Sequence, residues 1–363
     1  MQRRDLIKGL AVGGVAGLAG CKPQDAATPQ TAGPERHDWK MYTTWPKNFP
    51  GLGTGANRLA ELITRLSGGR ITVTVYGAGE RVPALEVFDA VSRGSAQMGH
   101  GGSYYWKGKA EAAPFFCSMP FGLTAQEMSA WLYYGGGLEL WRELYAGFNL
   151  VPFDAGNTGT QMGGWFRKPI NRLADLKGLK MRIPGTGGEV LARLGVTTVN
   201  IPGGELFTAL QSGTIDATEW VGPYNDLAFG FHKAAKYYYY PGWHEPGACL
   251  ECIVNKTAYE ALPADLQGIV STACEAVSHT MLAEMTARNQ TALQQLVELH
   301  GVQVLPFPAE VLDELRATSE RVVRETADKD PFTRRVYESY SAFRAQVMAS
   351  TRIAELAFLQ ARG

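Results

Sequence analysis

Along the first two-thirds of the chain, the spacing of apolar residues alternates between a period of two and a period of about 3.6. Residues 39–44 alternate as a strand. A helix follows over 54–67, with Leu59, Leu62, Ile63 and Leu66 on one face and Gly68-Gly69 as its stop. Residues 70–76 alternate again, with Ile71, Val73 and Val75 on the inward side. Glu86-Val-Phe-Asp-Ala-Val-Ser-Arg-Gly94 then reads as a short helix ended by glycine, followed by another strand. Helix and strand in this order imply parallel strands joined by right-handed crossovers. Residues 125–147 read as helix broken at Gly135-Gly136-Gly137, and 150–153 and 160–166 as strands. The second of these carries Gln161 and the flexible Gly163-Gly164, and is expected to cross between lobes. Residues 179–183 form a strand, 187–194 a helix and 197–200 a strand, and 250–254 return to the first lobe. From Ala264 the pattern is almost wholly helical: 265–300, a short strand at 302–305, then 309–326 and 331–359.

One unit occurs twice. Glu205-Leu-Phe-Thr-Ala-Leu-Gln-Ser-Gly213 matches the stretch ending at Gly94 position by position, with Phe207 over Phe88 and Ala209 over Ala90. The strand after Gly213, residues 214–218, delivers Glu219 and Trp220 to its C-terminal end, where open α/β sheets place ligands. His100 falls opposite Glu219 in the first copy. Two similar lobes facing one cleft suit the enclosure of a small ligand. Lobe one is expected over 37–155 plus about 250–305, and lobe two over 156–249. The C-terminal helices fill 306–363.

Composition changes this picture little. A chain of 363 residues with 45% hydrophobic and 19% charged residues accommodates two domains with good cores. Lys plus Arg and Asp plus Glu are 35 each, so no global field draws in nucleic acid, and any ligand charge must be met locally. The N-terminus does not belong to the fold. Arg3-Arg4, a short apolar run from Leu10 to Leu18 and Leu18-Ala-Gly-Cys21 describe an export signal over 1–21. The arginine pair is similar to a twin-arginine signal and the last four residues to a lipobox, which would leave Cys21 lipidated. Plain Sec export is the alternative. Residues 22–36 read as a tether. Of the remaining cysteines, Cys249 and Cys252 have redox or metal spacing, but on a strand they point to opposite faces roughly 10 Å apart. Buried thiols are expected for both, and for Cys117 and Cys274.

Candidate chemistry collects at strand ends. In Leu179-Lys-Met-Arg-Ile183 a period of two separates Arg182 from the apolar face, and Pro184-Gly185 ends the strand at once. A guanidinium there suits a bidentate carboxylate; a salt bridge to an acid such as Glu189 is the alternative. Gln161, Glu219 and Glu245 offer hard oxygen acceptors which, with a backbone carbonyl, suit Na⁺ or Ca²⁺ rather than zinc. Tyr104, Tyr105 and Trp106 follow the third strand and either line the cleft or fill the lobe core.

The stretch Phe166-Arg-Lys-Pro-Ile-Asn-Arg-Leu-Ala-Asp-Leu-Lys-Gly-Leu-Lys-Met-Arg-Ile183 resembles a motif of the tripartite ATP-independent periplasmic (TRAP) solute receptors. The stretch from Gly213 to Asp226 resembles the same family. Gln161, Arg182, Glu219-Trp220 and Glu245 together resemble the set found in its 2-oxoacid and lactate receptors. The resemblance implies an α/β two-lobed periplasmic-binding-protein fold, type II-like, with a hinge and long C-terminal helices. It implies a small 2-oxo or 2-hydroxy monocarboxylate held by Arg182 and by Gln161, Glu219, Trp220 and Tyr105. It also implies a Na⁺ or Ca²⁺ ion at Gln161, Glu219, the Trp220 carbonyl and Glu245, and delivery to an ion-gradient-driven membrane permease. A periplasmic location follows, with no nucleic-acid partner. A homodimer through the last helix is expected, because Val336, Tyr340, Phe343, Val347 and Ile353 make an apolar stripe on a helix longer than one lobe is wide. An enzyme is not expected, since no nucleophile–base pair or zinc-spaced histidine cluster stands out. A metal-dependent 2-oxoacid lyase or hydrolase, with His232 and His244 near the site, and a ligand sensor for a signalling protein are the rival readings.

Overall fold

The computed structural model describes residues 35–363. The expected export signal, including Cys21, and all but the end of the tether lie outside the described residues.

Strands β1 (His37–Thr43), β2 (Ile71–Tyr76), β3 (Met98–Gly101) and β4 (Leu150–Asn157) belong to one sheet. The chain then crosses to a second sheet for β5 (Gly164–Phe166), β6 (Lys180–Arg182), β7 (Thr197–Val199), β8 (Ala217–Thr218) and β9 (Tyr237–Tyr240). It returns as β10 (Cys249–Asn255), antiparallel between β3 and β4, as the apolar run at 250–254 requires. The orders are β2-β1-β3-β10-β4 and, with β11 (Gln303–Pro306), β11-β9-β5-β8-β6-β7. β1, β2 and β3 are parallel, as the crossover argument demands.

Both copies of the repeated unit fold alike. The helices Val87–Ser92 and Gly203–Ser212 lead to Gly94 and Gly213, each at φ 78°, the left-handed turn that glycine adopts without strain. β3 and β8 follow them.

Several expectations change. The strand placed at 160–166 begins only at Gly164, whose φ of 117° departs from the strand region. Residues 158–163 are therefore irregular connection, and Gln161 sits in the crossing itself. β9, a run of four tyrosines, lies between β11 and β5; its aromatic composition is a strand signal that periodicity does not pick out. The strand assigned with lobe one up to residue 305 instead pairs in parallel with β9, in the second sheet. The long helix Ala264–Glu298 packs on β4 and on the helix Leu52–Leu66, then hands the chain to the other lobe through β11.

The last helix is not one unbroken rod. It runs over Pro331–Thr351, widens into a π turn at Arg352–Leu356 and ends as Ala357–Arg362. Its apolar stripe begins on the chain's own lobe one. Val336 and Tyr340 are buried with Phe115 and Trp131, Phe343 and Val347 pack beside them, and the Tyr340 hydroxyl accepts from Leu123 N at 2.9 Å. Only past Thr351 do apolar side chains face outward, with Ile353 81% and Phe358 63% exposed. Cys117, Cys249, Cys252 and Cys274 are free and buried, and Cys249 and Cys252 enter different core clusters from opposite faces of β10.

Candidate functional site: an arginine and two carboxylates between the lobes

Two segments carry the chain between the sheets near the site, 158–163 and 241–248, and they are laced together. Gln161 N donates to Glu245 O at 3.1 Å and Gly242 N donates to Gln161 O at 3.0 Å. A Cβ at Gly242 would stand 2.3 Å from Gln161 O, so this approach needs glycine. The lacing holds the side chains of Gln161 and Glu245 side by side, with Gln161 Nε2 donating to Glu245 Oε2 at 2.8 Å.

The ends of β6 and β8 face this pair. Pairing of Arg182 with Thr218 places Arg182 beside the residue that follows, Glu219. Arg182 Nη1 donates to Glu219 Oε1 at 2.5 Å and to the Glu219 carbonyl at 3.1 Å, and Nε donates to the Ile201 carbonyl at 3.2 Å. From lobe one, the Tyr105 hydroxyl accepts from Nη2 at 3.4 Å, and the guanidinium lies 5.1 Å from the centre of the Trp220 ring. His244 Nε2 is 3.2 Å from the other Glu219 oxygen. Arg182 and Glu219 are each 1% exposed in their side chains. A narrow cavity of about 10 Å³ lies beside them, with Trp45, Tyr104, Tyr105, Thr158, Gln161 and Trp220 among its walls. A groove of about 570 Å³ around 166–179 on lobe two contains none of these residues.

The charges do not cancel. One guanidinium faces two buried carboxylates, and burial first, then Glu219, pushes the Glu245 carboxyl well above the usual carboxylate range. Burial pushes the Tyr105 phenol up to about 12, against the pull of Arg182, so it stays a neutral hydroxyl. Gln161 Oε1 is buried and receives no hydrogen bond, and Glu219, His244 and Glu245 bring ligand atoms within 4.8 Å of one another. A second buried carboxyl that ionises only with more positive charge nearby, beside an unsatisfied amide oxygen, is a donor set suited to a hard cation.

All six residues expected at the site, Gln161, Arg182, Glu219, Trp220, Glu245 and Tyr105, are brought to it. The alternative partner for Arg182 is corrected: Glu189 instead pairs with Lys107 of lobe one, 2.5 Å away. His232 lies apart, stacked on His300 at 4.1 Å. His100 is not a contact of the site; it accepts from Trp45 Nε1 at 2.8 Å, behind a cavity wall. His244 is the residue that spacing does not single out. Its adjacency to Glu245 is the available signal.

A family model for bacterial extracellular solute-binding proteins, family 7 (DctP), matches residues 42–330. The chain belongs to this family. Over 359 residues, 99% of the chain and 98% of the relative, it is 44% identical to a monocarboxylate 2-oxoacid-binding periplasmic protein of Nostoc sp. strain PCC 7120. A TRAP periplasmic solute-binding protein of Pseudoalteromonas atlantica T6c, solved with bound sodium and pyruvate, is similar at 46% identity and TM-score 0.87, covering 90% of this chain and 99% of that one. A TRAP transporter solute-binding protein of Bordetella bronchiseptica RB50, a mixed-occupancy dimer with calcium and picolinate in one site, matches at 41% identity and TM-score 0.89, covering 90% and 97%. The two-lobed fold and the TRAP resemblance read from the sequence are those found. The family is one of solute receptors rather than enzymes.

Proposed function

We propose that this chain is the extracytoplasmic receptor of a TRAP transporter and binds a small 2-oxo monocarboxylate, such as pyruvate, together with Na⁺ or Ca²⁺. The observation that carries this reading is the fully buried Arg182 clustered with Glu219, Glu245 and the unsatisfied Gln161 Oε1, beside a narrow cavity that Gln161, Tyr105 and Trp220 line. The ligands in the similar solved proteins support it.

Arg182 supplies the fork for the ligand carboxylate, with Tyr105 donating from lobe one and Trp220 flooring the pocket. Gln161, Glu219, Glu245 and the Trp220 carbonyl would hold the cation. When bound, it offsets the surplus carboxylate charge and offers a coordination position to the ligand's 2-oxygen. Contacts from both lobes make the closed form the tighter binder, so ligand shifts the hinge towards closure. The closed receptor would present itself to membrane permease subunits. Export to the periplasm by the twin-arginine route, a lipid anchor at Cys21 and a homodimer through the C-terminal helix complete the reading.

Calorimetry with a panel of 2-oxo and 2-hydroxy acids, with and without EDTA, tests it. Micromolar or tighter binding of pyruvate that is lost on chelation (for calcium), or on exchange of sodium for choline in chelated buffer (for sodium), and returns with that ion is the expected result. Indifference to both treatments removes the cation, and no binding of any short monocarboxylate removes the ligand class.

A further inference from the structure

Behind the site lies a buried carboxylate to which the reading above gives no task. Asp226, on the helix Pro223–Phe229, is 1% exposed and forms no ion pair among the described residues. Three neutral donors converge on it. Oδ2 accepts from Trp165 Nε1 at 2.9 Å and from the Tyr238 hydroxyl at 2.6 Å, and Oδ1 accepts from the backbone N–H of Val221 at 3.3 Å. Trp165 and Tyr238 come from the paired strands β5 and β9, and their rings stack at 4.1 Å, so the second sheet fixes the position of the carboxylate. A buried carboxylate without a cation partner is costly to a fold. If packing were its whole purpose, a neutral residue would serve.

The Val221 N–H is one end of a peptide unit whose other end is the Trp220 carbonyl. That peptide is trans, since the sole cis bond among the described residues is Tyr240-Pro241. In a planar trans peptide the N–H and C=O point in opposite directions, so a carboxylate that captures the Val221 N–H turns the Trp220 oxygen away from itself. The next peptide is pinned as well: the Val221 carbonyl accepts from Met162 N at 3.0 Å, one residue from Gln161. No hydrogen bond among the described residues ends on the Trp220 carbonyl. Burial pushes the Asp226 carboxyl up to about 7, so above that pH a negative charge sits on the N–H end of this amide; it shifts electron density onto the oxygen, making it a better donor to a cation.

We propose that Asp226 is a positioning residue for cation binding, aiming and polarising the Trp220 carbonyl through the Val221 N–H. This rests on the reading that the Trp220 carbonyl holds the cation. It ties the core of the second sheet to the strength of the ion site.

The test compares variants of the full chain by calorimetry with calcium chloride alone, then with pyruvate, alongside thermal melts. Asp226→Asn removes the charge, and Trp165→Phe removes a neutral donor while leaving the Asp226–Val221 bond in place. Asp226→Asn should weaken calcium about 10- to 100-fold, the usual effect of losing an outer-shell partner. Trp165→Phe should lower the melting temperature and leave calcium affinity nearly unchanged. Equal calcium affinity in Asp226→Asn and wild type overturns the proposal, as do affinity losses that simply track the melting temperature in both variants. If Asp226→Asn does not fold, Asp226→Glu, which keeps the charge but displaces it by a methylene, should show the same selective loss; wild-type calcium affinity there refutes the proposal. Gln161→Ala separates the two levels. If it weakens calcium while the Asp226 variants do not, only the role of Asp226 falls. If Gln161→Ala also binds calcium like wild type, the cation reading falls, and the proposal with it.

Discussion

Replacing Arg182 by methionine would remove more than the proposed ligand contact, because the guanidinium also neutralises a buried partner. Arg182 Nη1 is 2.5 Å from Glu219 Oε1, and both side chains are 1% exposed. The substitution would leave Glu219 buried, with His244 as its remaining side-chain partner. Breaking a buried pair on one side costs about 3–5 kcal/mol of stability. Loss of the charge-assisted fork to a ligand carboxylate costs a further 2–5 kcal/mol or so of binding, which is ~30- to ~4,000-fold in Kd. The two losses are separable. In Arg182→Met with Glu219→Gln the orphaned Glu219 charge is gone and Glu245, already pushed well up by burial, loses its like-charged neighbour, so most of the stability should return while pyruvate binding stays absent. Urea unfolding gives the first quantity, and calorimetry with pyruvate and calcium gives the second. A single variant as stable as wild type would refute the buried-pair argument. Pyruvate affinity within threefold of wild type would refute the assignment of Arg182 to the ligand.

Other perturbations follow from the same geometry. If cation and ligand share one shell as proposed, Glu219→Gln should weaken both together and by reciprocal factors; calorimetric titration in both orders of addition checks this. Glu251, buried with Trp106 Nε1 and Tyr145 OH as donors, is pushed by burial from the usual 4.5 up to about 7. Between those values the folded state holds a proton that the unfolded chain has lost, so this stabilising contribution is present at the acid end and is lost as pH rises through about 7. Glu251→Gln should therefore flatten the fall in stability between about pH 4.5 and 7, measured as urea midpoints. Truncation after Thr351 removes the outward Ile353, Leu356, Phe358 and Leu359 but none of the contacts of Val336 and Tyr340. It should yield a folded monomer that binds pyruvate, whereas the full chain should sediment as a dimer. A full-length monomer at micromolar concentration would count against the dimer.

What is legible in the sequence is whatever a local rule controls. Period and glycine stops locate the helices and most strands, and the end of β6 marks Arg182 because Pro184-Gly185 allows no continuation. The two copies of the repeat are alike down to the left-handed glycines at 94 and 213. What is not legible depends on distant partners. Periodicity assigns Arg182 a face, but only the pairing of β6 with β8 makes Glu219 rather than Glu189 its neighbour. The placement of β11 beside β9 is decided by where a 35-residue helix ends, which no local signal specifies. That His244 rather than His232 belongs to the site escapes a sequence reading for a similar reason. Its role is set by reach across to Glu219, whereas His232, nearer to Glu219 along the chain, reaches nothing there.

In many hinged machines the lever and the lock are separate parts, and a signal must travel between them. Here Gln161 and Glu245 sit within the two connections that must twist when the lobes move, and those connections are bonded to each other through Gln161 N, Gln161 O and Gly242 N. Occupancy and lobe angle are thus expressed in the same few peptides. Such a receptor cannot be tuned for tighter capture without also altering how readily it reopens. Selection on affinity is at the same time selection on release, and Gly242, which touches no ligand, sits where both are decided.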